Sequence, residues 1–232
     1  MPNRVITVLA GEFVHPTTTQ FSAFADTAPA AHTLRIIEDA SAFDHLDDTD
    51  LLVVAGLHWT GSPSVTWTEP VPYLPPTEAQ KAALRAYIAS GRPVLSVHGG
   101  IASYDDWPEF GDLLGISWHW DLTTHGPVKE YRVYPEKRDS ALAADVGEFH
   151  IVDENYFNVQ GRPGVRYVTH LKLDAGDCQL PALLTTDGRG LPGGGRRAYL
   201  ALGHDQRSTD HPAYAPVLWR TVAWLLGDDA AL

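Results

Sequence analysis

The sequence predicts an α/β protein with a flavodoxin-like, doubly wound, mostly parallel sheet and helices on both of its faces. Short apolar runs ending in glycine recur along the chain, Leu51–Gly56 and Arg92–Gly100 being the clearest, and such runs read as strands buried on both sides. A strong helix pattern over 78–90 separates these two runs, which is the strand, helix, strand order of a parallel βαβ unit. Titratable residues follow several of the runs, at the carboxyl strand ends where open parallel sheets bind ligands.

Each element can be justified in order. Arg4–Leu9 is a β-rich run closed by Gly11, and a helix over 17–25 leads to a second run, Thr33–Ile37. Leu51–Gly56 is the third. Thr77 and Gln80 form a capping-box pattern, Leu84, Tyr87 and Ile88 share one helix face, and Gly91 with Pro93 ends that helix. The next run ends abruptly in His98, followed by Gly99 and Gly100. A glycine pair lets the backbone turn sharply, so the segment has the form of a nucleophile elbow in which imidazole replaces the usual Ser or Cys. A short helix over 107–114 follows, with Asp105 or Asp106 as its cap and Gly115 as its stop. The second half carries β-rich runs at 128–134, 149–152, 165–171 and 197–202. A last helix over 213–226 sets Val217, Trp219, Val222, Ala223 and Leu226 mostly on one side before Gly227. The loops 60–76 and 186–195 are rich in breakers, but neither reads as a domain linker and no repeat is evident. With 232 residues, 44% of them apolar, the chain can bury one full core, so residues 1–232 are read as a single domain.

Composition narrows the partners. Asp and Glu number 29 against 17 Lys and Arg, a formal charge of −12, which opposes nucleic acid and anionic membrane and favours a neutral or cationic small molecule. The single cysteine, Cys178, excludes an internal disulfide and a Cys-rich zinc site, and it suits a reducing compartment. The N-terminal apolar run is too short for a signal peptide, and no stretch approaches the roughly 20 apolar residues that span a bilayer. A cytoplasmic protein is the expectation, and exposed sheet edges favour a homo-oligomer.

The chemistry-bearing residues cluster at run ends. His15 follows the first run, His58 the third, His98 the fourth, and His204 the last, while Asp153, Glu154, Asn155 and Tyr156 close the run at 149–152. If the strands are parallel, these ends share one crevice. Imidazoles with carboxylates serve either as a general acid/base set or as ligands for a divalent metal such as zinc, and no short His-x-x-x-His motif decides between the two. The candidate catalytic centre is His98, Glu154 and His204, and the same three residues are the ligands if a metal is bound. In the acid/base version one imidazole takes a proton from water or a substrate hydroxyl while Glu154 handles the second proton. Aromatic residues are dense between the third run and the short helix and beyond it: Trp59, Trp67, Tyr73, Tyr104, Trp107, Trp118 and Trp120. Flat apolar faces with polar rims suit pyranose rings. Packing alone would account for Trp107 and Trp118, whereas Trp59 and Trp67 lie in a Pro-rich loop suited to cover the crevice as a lid. Candidate substrate contacts are His15, His58, Trp59, Tyr104, Trp107, His125 and Tyr156.

These residues carry a family resemblance. Phe13-Val14-His15, the stretch from Val97 and His98 through Tyr104, Trp107, Pro108 and Phe110 to Leu114-Gly115, then His125-Gly126-Pro127, Asp153-Glu154-Asn155-Tyr156 and Leu202-Gly203-His204 occur in order. In this the chain resembles the ThuA-like (trehalose utilisation) family of the class I glutamine amidotransferase-like superfamily, from about residue 4 to 227. It departs from the family pattern where Gly126 separates His125 from Pro127, where Pro181-Ala182-Leu183-Leu184 lacks a tryptophan, and at Asn155. These departures bear on the substrate more than on the fold. The resemblance implies a protein of carbohydrate metabolism, acting on trehalose, related disaccharides or their keto forms as a hydrolase or isomerase. It also implies that glutamine hydrolysis is absent, because the superfamily's elbow cysteine is replaced by His98. A second reading is a catalytically silent amidotransferase-like module that binds a sugar or a partner.

Overall fold

The computed structural model describes residues 3–11, 13–15, 21, 25, 27–61, 71–136 and 140–228. Its first half contains β1 (Arg4–Leu9), β2 (His32–Ile37), β3 (Leu51–Val54), α1 (Glu78–Ala89), β4 (Val94–Val97) and α2 (Glu109–Leu114). Two short strands, β5 (Ile116–Ser117) and β6 (Thr124–His125), precede β7 (Lys129–Pro135) and β8 (Phe149–Asp153). Then come β9 (Tyr156–Phe157), β10 (Gln160–Gly161), β11 (Val168–Asp174), β12 (Gln179–Thr186) and β13 (Arg197–Leu200). The chain closes with α3 (Gln206–Thr209) and α4 (Tyr214–Leu226).

One nine-stranded sheet runs β2-β1-β3-β4-β13-β12-β11-β7-β8. Its first five strands are parallel neighbours, as the sequence predicts. Side chains alternate across a strand, so an unbroken apolar run must feed two cores. Ile6, Val8, Leu51, Val53, Leu95 and Leu200 enter the core covered by Val217, Leu218, Val222 and Leu225 of α4. Leu9, Leu52, Val54 and Val94 enter the opposite core with Leu84, Tyr87 and Ile88 of α1. Both halves of the Thr77 and Gln80 capping box are formed at the start of α1. Among the described residues no helix is long and apolar enough to cross a membrane.

The remaining four strands of the sheet are antiparallel. β12 is not among the strands expected from the sequence, and it contains Pro181, a residue that ordinarily argues against an inner strand. The residue is tolerated because β12 pairs with β13 only over Leu183–Thr186, and Pro181 faces Lys172 beside a register shift in β11. The strand expected over 165–171 is displaced to Val168–Asp174. The capping expectation for the short helix is also corrected. Pro108 precedes α2 without a side-chain cap, while Asp105 accepts from Thr60 N and Oγ1 at 2.8 and 2.6 Å and Asp106 accepts from the Tyr73 hydroxyl. In α4 the buried face is Tyr214, Val217, Leu218, Thr221, Val222 and Leu225, with Trp219 and Leu226 only partly covered. The helix expected over 17–25 lies outside the described residues except for Phe21 and Ala25, which are helical.

β8 forms the outer edge of the sheet, yet its last residue returns to the centre. The Asp153 carboxylate accepts from Gly203 N at 2.9 Å and His204 N at 3.2 Å, just beyond β13. β7 makes this possible by serving two neighbours in turn: its residues 129–133 pair with β8, and residues 132–135 pair with β11. The far edge thus folds back over the carboxyl ends of the parallel strands.

The turn after β4 tolerates no extra atom. A Cβ on Gly100 would stand 2.2 Å from the Val54 carbonyl oxygen. Gly100→Ala should therefore cost about 3 kcal/mol or more through forced displacement of β3, whereas Thr77→Ala should cost only about 1 kcal/mol through loss of a cap. Urea denaturation of the two variants checks both the order and the gap.

Candidate functional site

His98 is the first residue past β4 and has φ +42°, a left-handed conformation that a side chain normally disfavours. The two glycines after it let neighbours close on the turn. A Cβ on Gly99 would stand 2.6 Å from His15 Nδ1, so that glycine makes room for the imidazole supplied by the segment after β1. The bend after β13 supplies His204. The three rings lie edge to face, with centroids 4.8 Å apart for His15 and His98, 5.1 Å for His15 and His204, and 5.4 Å for His98 and His204.

Glu154 joins them from the end of β8. Its Oε2 lies 3.6 Å from His98 Nε2 and its Oε1 lies 2.7 Å from His125 Nδ1. One ligand atom each from His15, His98, Glu154 and His204 falls within 4.8 Å of the others. Asp153 fixes this arrangement. Besides the two amides after β13, its carboxylate accepts from Glu154 N at 2.8 Å and Ser208 Oγ at 2.6 Å. It is 1% exposed, so these four donors replace the water it has lost.

Each imidazole is oriented by a specific partner. His98 Nδ1 donates to the Ala201 carbonyl at 2.7 Å, and its Nε2 faces Glu154 Oε2 at 3.6 Å, with no closer polar partner among the described residues. His204 Nδ1 donates to Asp205 Oδ2 at 3.1 Å, and Asp205 is itself held by Arg207. Anchoring one ring nitrogen frees the other for a metal or a proton. His15 Nδ1 is likewise buried, with no hydrogen-bond partner among the described residues.

The electrostatics are uneven. Burial, reinforced by His98, His204 and His125, pushes the His15 pKa well below the ordinary imidazole range, so His15 is neutral at pH 7. Burial also opposes charge on His98, but Glu154, Asp153 and the Ala201 carbonyl outweigh it and raise its pKa. Burial would raise the Glu154 pKa, yet His98, facing it at 3.6 Å, with His125 and His204, holds it below the usual carboxylate range. Three imidazoles and one carboxylate thus face one small space, and within it His15 is the ring held neutral.

These four residues suit a divalent transition metal in donor type and approach. Around tetrahedral zinc, ligand atoms sit about 3.4 Å apart, given bonds of about 2.1 Å. The observed set would need to contract modestly.

The structure brings together His98, Glu154 and His204, and adds His15 to the centre itself. His125 stands beside it through Glu154, and Tyr156 lies with its ring 4.5 Å from that of His98. It does not bring His58 in: Nε2 of that residue bonds the Ala10 carbonyl at 2.7 Å, and its ring stacks on Tyr104. Tyr104 and Trp107 are buried in the α1 core against Phe110. Trp59 meets Trp120 with ring centroids 5.7 Å apart, and Trp67 lies outside the described residues. Sequence reasoning missed the anchoring roles of Asp153 and Asp205. Their immediate adjacency to Glu154 and His204 was the available signal.

The sequence profile described as trehalose utilisation matches residues 5–225. A search of curated proteins finds no match. Among solved structures, a ThuA-like protein from Parabacteroides merdae superposes with a TM-score of 0.72 at 16% identity, covering 98% of this chain and 91% of that one. A ThuA-like protein from Bacteroides uniformis gives 0.67 at 15% identity, covering 97% and 91%. A glutamine amidotransferase from Thermotoga maritima gives 0.51 at 8% identity, covering 97% and 99%, which is a likeness of fold. With the motifs spread in order over nearly the whole length, this chain belongs to the ThuA family of trehalose utilisation.

Proposed function

We propose that the chain is a metal-dependent enzyme of carbohydrate metabolism, hydrolysing or isomerising trehalose, a related disaccharide or a keto form of one. His15, His98 and His204 would hold a divalent ion such as zinc, and Glu154 would be the acid/base group. The observation that supports this most is the convergence of four ligand atoms within 4.8 Å, with His98 and His204 each held at Nδ1 by an oxygen. When bound, such an ion supplies Lewis acidity toward a carbonyl or hydroxyl oxygen and makes water more acidic.

The chain's own groups would do the rest. Glu154 Oε2 faces His98 across the centre, where it can take a proton from water in hydrolysis. In isomerisation it can take one from carbon beside a carbonyl and return it to the neighbouring carbon. His125, 59% exposed and bonded to the other Glu154 oxygen at 2.7 Å, can pass that proton to solvent. The buried ring of Tyr156 covers His98 on one side and limits water there. The absence of Ser or Cys at the elbow leaves no covalent acyl route.

Two variants separate the roles. His204→Ala, at a partly exposed position, should reduce zinc from about one per chain to near zero by elemental analysis while changing the melting temperature of the metal-free protein little. Full zinc retention in this variant would rule out the imidazole site. Glu154→Gln should keep zinc but lower turnover of trehalose or its keto form by about 10²-fold or more, measured by product chromatography. Zinc loss in Glu154→Gln would instead make that carboxylate a ligand, and sugar binding by wild type without turnover would leave a binding module.

A further inference from the structure

The residues between β5 and the end of β6 form an arch across the site, held at both ends. β5 pairs with β10 and β6 pairs with β9. Within the arch, His119 N donates to Thr123 Oγ1 at 3.0 Å, and Thr123 Oγ1 donates to the Asn158 carbonyl at 3.0 Å. The amides of Leu122 and Thr123 both return to the His119 carbonyl, at 2.9 and 2.7 Å. This is a braced turn, yet its tip exposes Trp120 at 45% and Leu122 at 50%.

Exposed large apolar side chains on an ordered turn call for a partner. The other two such residues in the described structure, Phe13 and Leu74, line a hollow of about 300 Å³ with Trp59, and Trp59 meets Trp120 at 5.7 Å. On its other side Trp120 borders a second cavity of about 370 Å³, walled by Trp107 and Trp118 and edged by Asp112 and Asp121. From this rim a ladder of rings descends to the centre: Trp120 to Trp118 at 5.6 Å, Trp118 to Tyr156 at 5.0 Å, and Tyr156 to His98 at 4.5 Å. Trp118 keeps its buried Nε1–H without an acceptor among the described residues, a donor that a ligand hydroxyl could satisfy.

We propose that the turn carrying Trp118 and Trp120, with Trp59, is a specificity-determining subsite that stacks the ring of a glycoside not undergoing reaction. This rests on the carbohydrate reading above. The occupant is an uncharged pyranose. Its apolar C–H face matches the tryptophans, its hydroxyls match carboxylates and the free indole donor, and the formal charge of −12 disfavours a sugar phosphate. The chain accordingly selects a two-ring neutral glycoside over a one-ring or phosphorylated sugar, and it does so with residues that do not touch the proposed reacting bond.

Isothermal titration of the full chain with trehalose, methyl α-glucopyranoside and trehalose 6-phosphate tests this. Wild type should bind trehalose about tenfold more tightly than either of the others, the scale of one well-formed ring stack. Trp120→Ala should weaken trehalose to the level of methyl α-glucopyranoside and leave the latter unchanged, and Trp120→Tyr should recover most of the loss. Equal trehalose affinity in wild type and Trp120→Ala, or equal weakening of both neutral sugars, would overturn the subsite. So would a wild-type dimer that Trp120→Ala dissociates in sedimentation, because the patch would then cover a second copy. Failure of wild type to bind any of the three sugars would instead sink the carbohydrate reading itself.

Discussion

The buried carboxylate of Asp153 is the tie on which the site depends. A charge at 1% exposure is tolerable only if donors replace its hydration. Here the donors come from its own successor, from two amides beyond β13 and from Ser208 in α3. Satisfying one group therefore fixes three segments at once, and the next residue on one of them is Glu154. Without that tie, the edge strand β8 would have no reason to lie over the centre of the sheet, and the acid would be remote from the imidazoles.

The centre is organised by competition for charge. Three imidazoles with centroids within 5.4 Å of one another cannot all carry protons in a buried space, and His15 is the one most strongly held neutral. Glu154 and Asp153 counterbalance this by favouring positive charge at His98. In the proposed function one divalent ion would take the place of those protons, with the ring nitrogens then neutral donors. The strained φ at His98 belongs to the same logic, since the left-handed turn, and the glycines that permit it, deliver the ring to its neighbours.

Above this centre lies a layer with different physics. The arch from β5 to β6 is attached by two miniature ladders rather than by a large core, and its tryptophans interact by ring contact with Trp59 and Tyr156. The titratable cluster lies below, and flat aromatic surface edged by Asp112 and Asp121 is displayed above, a division that the proposed two-ring ligand would match.

The sequence by itself determined the parallel half of the fold, because each strand run, glycine stop and helix cap is a local signal. Leu51–Val54 and the α1 capping box follow from neighbouring residues alone. It also marked His98 and His204, since each stands directly after such a run. The tertiary structure decided what sequence spacing cannot encode: that Pro181 is accepted within an inner strand, that β8 folds back, and that His15 enters the centre while His58 turns to a backbone carbonyl. A strand end fixes where a side chain begins, but which way its ring turns depends on hydrogen-bond partners as far away as residues 98 and 201. Such partners meet only once the chain has folded.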